Sequence, residues 1–136
     1  MSKQHVIVTF GTFDLFHIGH VRLLQRAAVL GALHVGVSSD AFTFLKKQRM
    51  PVFSESERLE IVGTSRFVSS VFLEESFDRK REYLMNLSAD VMVMGDDWVG
   101  QFDEFSDICK VVYLPRTQSV CTTDLLASIQ NSPLSS

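Results

Sequence analysis

The sequence has little of what staples, breaks or strongly charges a chain. Among 136 residues there are two cysteines, three prolines and one tryptophan. Cys109 and Cys121 match neither a zinc spacing nor a disulfide framework, so reduced thiols in a cytosolic protein are expected. Basic excess is missing too: 13 Lys and Arg against 16 Asp and Glu give a net charge of −3. That argues against the electrostatic footprint of a nucleic-acid or membrane-surface protein, although a local cationic cluster can still serve an anionic substrate. No apolar run is long enough to span a bilayer. The run Val6-Ile7-Val8, soon followed by Gly11 and Asp14, is too short for the core of a secretory signal. A soluble, cytoplasmic protein without membrane insertion is expected. Repeats, linkers and low-complexity blocks are absent as well. What the chain does have is 46% hydrophobic and 21% charged residues, enough to bury one core and far from disordered or collagen-like compositions. One domain over residues 1–130 and a frayed tail over 131–136 follow.

Short β-rich runs alternate with helical patterns. Residues 5–10 (HVIVTF) form a near-continuous apolar strand, as in a parallel sheet covered on both faces. A helix follows over 19–30 and a strand over 33–39, and a mobile stretch carrying Lys46, Lys47 and Arg49 is expected over 42–51. Ser54-Glu55-Ser56-Glu57 matches a capping box and opens a helix over 54–63. A strand over 66–73, a helix over 77–87, strands over 90–94 and 110–114, and a last helix over 122–129 complete the pattern. This alternation predicts an α/β fold: a Rossmann-like parallel sheet of about five strands with helices on both faces. Ligands of such folds sit beyond the carboxyl ends of the strands.

The first strand runs into Gly11-Thr12-Phe13-Asp14-Leu15-Phe16-His17-Ile18-Gly19-His20. A strand-to-helix turn leaves backbone N–H groups unpaired ahead of a helix dipole, which makes an anion site. Gly11 and Gly19 let a phosphate approach the backbone. His17 and His20 share one side of the first helical turn, where protonated imidazoles would donate to a polyphosphate. A metal reading of the pair lacks a third ligand at sensible spacing, and the dinucleotide motif G-x-G-x-x-G is absent. Asp14 is placed to fix the turn through backbone amides. Asp40 and the pair Asp96-Asp97 are candidates to hold hydrated Mg²⁺ or to accept hydrogen bonds from a nucleotide, and Trp98 to cover it.

The stretch GTFDLFHIGH resembles the signature of the cytidylyltransferase-like nucleotidyltransferases, in which H-x-G-H binds a nucleoside triphosphate. Arg116-Thr117-Gln118-Ser119-Val120-Cys121-Thr122-Thr123 resembles their second signature, R-T-x-G-I-S-T-T. MGDDWVGQFD and VVYLPRT closely resemble segments of the bacterial glycerol-3-phosphate cytidylyltransferases, and the likeness runs over residues 6–129. The second signature makes physical sense: Arg116 follows a strand and can fork onto phosphate oxygens, ahead of amides and hydroxyls at a helix start. Two positions depart from the pattern, Ser119 for glycine and Cys121 for serine, and a thiol is the weaker donor.

The resemblance implies catalytic roles for His17, His20 and Arg116. Nucleotide contacts would come from Thr12, Phe13, Gly19 and Arg49, and from Thr117, Ser119, Cys121, Thr122 and Thr123. Lys47, Arg66 and Lys80 would hold the acceptor, and a one-residue slip leaves Lys46 as a rival to Lys47. It further implies CTP and glycerol 3-phosphate as substrates, Mg²⁺ or another divalent cation, a homodimer, and a place in making teichoic-acid-type polymers. The expected reaction is cytidylyl transfer to the acceptor phosphate, giving CDP-glycerol and pyrophosphate. Rivals are a same-fold enzyme with another acceptor or base (FMN adenylyltransferase, ethanolamine- or choline-phosphate cytidylyltransferase) and a catalytically silent nucleotide-binding protein.

Overall fold

The computed structural model describes residues 4–115 and 129–130. Five parallel strands lie in the order β3-β2-β1-β4-β5. They are β1 (Val6–Gly11), β2 (Ala32–Ser38), β3 (Ser70–Glu74), β4 (Val91–Gly95) and β5 (Lys110–Leu114). Four helices join them: α1 (Ile18–Ala28), α2 (Asp40–Lys47), α3 (Glu55–Gly63) and α4 (Lys80–Asn86). β1 is central, and its inner residues are buried on both faces, as its unbroken apolar run predicts. Ile7, Leu24, Leu33, Val35, Val62 and Val93 pack on one face of the sheet. Val8, Phe10, Leu84, Met92, Met94 and Phe105 pack on the other. The expected sheet with helices on both faces is the fold observed.

Chain direction across the sheet reverses at β1. β2 and β3 are laid down to one side, then β4 and β5 to the other, so the carboxyl ends of β1 and β4 adjoin at a topological switch point. Registers carry this edge across the sheet: Gly11 faces Val37, Ser38 faces Glu74, and Gly95 faces Leu114. Two glycines allow the packing. A Cβ on Gly31 would meet the His5 carbonyl oxygen at 2.3 Å, and one on Gly36 would meet the Phe10 ring at 2.6 Å.

Three expectations need correction. Residues 42–47 of the stretch expected to be mobile are helical: Ser39 Oγ accepts from the Phe42 amide at 3.0 Å and starts α2, which is capped by Gln48 in the left-handed region, and only 48–51 lie outside regular structure. The helix is hard to read in sequence because it is only eight residues long and, of its large apolar residues, Phe42 is buried while Phe44 and Leu45 face outward. The third strand starts at Ser70, since a turn in which Val68 donates to the Ser65 carbonyl occupies the preceding residues. The helix expected over 77–87 is confined to Lys80–Asn86. The last helix lies outside the described residues except at its end, where Ile129 is helical.

Candidate active site

Tension in the turn from β1 to α1 begins with backbone geometry. Phe13 and Leu15 both take positive φ, 55° and 49°, which non-glycine residues seldom adopt. The Phe13 ring folds back into the core so closely that a Cβ on Gly11 would stand 2.9 Å from it. Asp14, between the two, is buried and ties the turn to the segment after α2. Its carboxylate accepts from the amides of Leu15 at 3.1 Å, Val52 at 2.6 Å and Phe53 at 2.9 Å.

The two histidines cap α1 reciprocally. His17 Nδ1 accepts from the Gly19 amide at 3.0 Å, and His20 Nδ1 accepts from the His17 amide at 3.1 Å. Both Nδ1 atoms are therefore acceptors, and Nε2 is the nitrogen from which each ring can donate. The rings stack with centroids 3.9 Å apart, and His20 also packs on Phe13 and Phe16. Burial, then the neighbouring His17 and Lys47, push the His20 pKa down to about 3. For His20 the expected imidazolium is thus replaced by a neutral Nε2–H donor at a helix N-terminus, because a cation enclosed there would lose hydration and be repelled by Lys47. Such donors still suit phosphate oxygens, as do the amides and dipole of the helix behind them.

Arg58, fully buried in α3, braces the loops around this turn. Its guanidinium donates to the carbonyls of Phe53 at 2.9 Å, Thr12 at 2.8 Å and Ser38 at 2.7 Å, and to Asp40 Oδ1 at 2.7 Å. One side chain thus fixes the ends of β1 and β2, the start of α2 and the loop before α3. The Thr12 hydroxyl, buried at the same place, has no partner among the described residues.

Beyond Gly11 a small cleft of about 30 Å³ opens, lined by Phe10, Lys46, Glu74, Lys80 and Trp98 among others. Lys46 Nζ donates to Ser38 Oγ at 2.8 Å, which donates to Glu74 Oε1 at 3.3 Å. The other Glu74 oxygen accepts from Lys80 Nζ. Glu74 is 1% and Lys80 2% exposed, so Lys80 is no solvated surface lysine. Burial lowers the Lys80 pKa against the opposing pull of Glu74. Burial also lowers that of Lys46, to about 8, with Glu74 raising it and Lys47, Lys80 and Arg58 lowering it.

The predicted site residues therefore separate. Thr12, Phe13, His17, Gly19 and His20 gather at the turn, with Lys47 close enough to depress the His20 pKa. Lys80 stands in the cleft, and Lys46, rather than Lys47, joins it there. Arg49 is half-buried in the segment after α2. Arg66 is not brought to the cleft: it is exposed, precedes β3, and rests on Phe67 near the amino end of that strand, opposite the carboxyl edge. Asp96 and Asp97 are exposed directly after β4, and the Trp98 ring packs tilted against Phe102. Arg116, Thr117, Ser119, Cys121, Thr122 and Thr123 lie outside the described residues. The last described residue before them, Pro115, follows β5 at the carboxyl edge, where its carbonyl accepts from Arg26 of α1 at 2.8 Å. Sequence reasoning missed Arg58, Glu74 and Ser38. Only the position of Ser38 and Glu74 at strand ends hinted at them.

The sequence profile described as cytidylyltransferase-like matches residues 8–136. The chain is 44% identical over 124 residues to the glycerol-3-phosphate cytidylyltransferase of Bacillus subtilis, covering 90% of this chain and 95% of that protein. It is 37% identical to the same-named protein of Staphylococcus aureus over 88% of this chain and 90% of the relative. Among solved structures, a lipopolysaccharide core biosynthesis protein from Thermoplasma volcanium superposes with a TM-score of 0.75 at 22% identity. That match covers 85% of this chain and 100% of the other, and it supports the fold.

Proposed function

Since this chain belongs to the cytidylyltransferase-like family, we propose that it is the enzyme transferring a cytidylyl group from CTP to sn-glycerol 3-phosphate. The products are CDP-glycerol and pyrophosphate. The observation that carries this reading is convergence at one sheet edge: the capped His17/His20 turn and the Lys46/Lys80 cleft meet at Gly11, beside the switch point. One half suits a triphosphate and the other a second phosphate.

An oxygen of the acceptor phosphate attacks the α-phosphorus of CTP in line, a P–O bond forms, and pyrophosphate departs with the electron pair of the bond that breaks. The acceptor oxygen is already a nucleophile, so the protein supplies position and charge stabilisation. His17 and His20 donate through Nε2 to the triphosphate as charge moves onto the leaving group. The orphan Thr12 hydroxyl offers a further donor, and Phe13 and Gly19 shape the turn. Arg49, Arg116, Thr117, Ser119, Cys121, Thr122 and Thr123 complete the nucleotide half. Lys46 and Lys80 hold the acceptor, and Lys47 stands on the nucleotide side.

The residues present fit a Mg²⁺ ion carried in on the triphosphate rather than caged by the chain. Among the described residues no three His, Cys, Asp or Glu side chains converge on a metal site, and Asp14 and Asp40 are already engaged. Asp96 or Asp97, exposed directly after β4, would hold such an ion together with the substrate phosphates. When bound, it would neutralise charge on the leaving phosphates. A cytoplasmic homodimer making activated glycerol phosphate for teichoic-acid-type polymers completes the proposal.

The test pairs CTP and ATP with glycerol 3-phosphate, ethanolamine phosphate, choline phosphate and FMN, reading pyrophosphate release. Turnover is expected with CTP and glycerol 3-phosphate alone. Faster turnover of another pair would reassign the enzyme, and CTP binding without any pyrophosphate would make it a silent binder.

A further inference from the structure

Lys80 is held in an unusual way for a residue at a phosphate site. Its Nζ lies 3.7 Å from the Phe10 ring centroid, 5.1 Å from that of Phe102 and 5.8 Å from that of Phe77. The same atom donates to Glu74, whose carboxylate is itself almost wholly buried. Ring faces carry negative charge density and attract ammonium groups, more strongly where water is excluded. Three rings and a carboxylate around one point are thus the recognition chemistry of an organic cation, and here the chain's own side chain supplies it.

We propose that Lys80 is a specificity-determining residue: its ammonium plugs an aromatic–carboxylate box and restricts the acceptor to phosphates with an uncharged tail. The inference rests on the reading of this cleft as the acceptor half of the site. An acceptor whose tail ends in an ammonium group must place that charge beside Lys80 or displace it, and both are unfavourable. A polyol phosphate brings hydroxyls, which a neutralised Lys80–Glu74 pair tolerates. With Lys80 shortened, Glu74 keeps only the Ser38 hydroxyl and the more distant charge of Lys46, and the place of the ammonium between the carboxylate and three rings is vacant for a cation from outside.

The experiment compares the wild-type protein with Lys80→Ala and with the double variant Glu74→Gln/Lys80→Ala. Methylammonium chloride, against sodium chloride at equal ionic strength, is expected to raise the melting temperature of Lys80→Ala. It should leave the wild type and the double variant unmoved. In pyrophosphate-release assays with CTP, Lys80→Ala should lose at least tenfold in kcat/KM for glycerol 3-phosphate. It should gain at least tenfold for ethanolamine phosphate over the wild type, and the double variant should lose that gain. A Lys80→Ala protein that folds yet neither responds to methylammonium nor gains on ethanolamine phosphate overturns the proposal. If Lys80→Ala does not fold alone, Lys80→Met, which keeps the stem packed, is put through the same two measurements and decides. The wild-type assay separates the two levels: no turnover of glycerol 3-phosphate by the wild type refutes the acceptor reading, whereas the melting response tests the box without catalysis.

Discussion

Single side chains set the electrostatics of this edge by what they accept as much as by what they donate. His20 illustrates it, because its Nδ1 is committed to the His17 amide and its ring is enclosed by Phe13 and Phe16. Its pKa, near 3 in the fold, lies below the ordinary 6.5 of the unfolded chain. Between those values the unfolded state binds a proton that the folded state refuses, so stability rises with pH through the window and falls on acidification. Thermal melts from pH 7 to pH 4 should show this loss, and His20→Asn, which retains an acceptor, should flatten it; an equal slope in both proteins would refute the neutral ring. His17→Ala or His20→Ala should each lower kcat by roughly 10²–10³, the usual effect of removing one such donor. Lys46 acts in the opposite pH range. With its pKa at about 8, it deprotonates as pH climbs past that value, and the acceptor loses a cation. The KM for glycerol 3-phosphate should therefore rise above pH 8, a rise that Lys46→Ala abolishes by starting from the high value.

Elements show where sequence reading succeeds and where it stops. The capping box at Ser54 was legible because it is local: Ser54 Oγ accepts from the Glu57 amide at 3.3 Å and Glu57 Oε1 from the Ser54 amide at 3.2 Å. So was β1, whose apolar run announces burial on both faces. Helix α2 was not, since it is only eight residues long and its capping serine follows a strand directly. Arg58 was invisible for a different reason. It sits inside a charged helix, where arginine ordinarily reaches solvent, and its partners at Thr12 and Ser38 are distant in sequence. Because it satisfies three carbonyls and a carboxylate with no exposure, its removal strands several buried acceptors. Arg58→Ala is expected to lose about 3–5 kcal/mol of stability. It should also raise KM for both substrates, since it joins the two halves of the site. Urea unfolding and steady-state kinetics check the two effects, and a stability loss below ~1 kcal/mol would mean that water replaces the brace.

At the scale of the molecule, the site is a product of strand order. The histidine turn could be read from adjacent residues, but the meeting of Ser38, Lys46, Glu74 and Lys80 depends on β2 and β3 ending level with β1, which no local pattern states. The same topology brings the carboxyl end of β5 level with that of β4, so Pro115, the last described residue before Arg116, follows β5 at the carboxyl edge of the sheet. If the residues from Arg116 to Thr123 complete the nucleotide half as proposed, Cys121 becomes a reporter of bound CTP. Cys109 is buried, its thiol lies against the Phe105 carbonyl, and burial raises its pKa, all of which make it slow to alkylate. N-ethylmaleimide should therefore modify Cys121 first, as peptide mass mapping would show, and CTP with Mg²⁺ should slow that modification while glycerol 3-phosphate alone should not. An alkylation rate indifferent to CTP would separate the two signatures in space and leave the histidine turn without its counterpart.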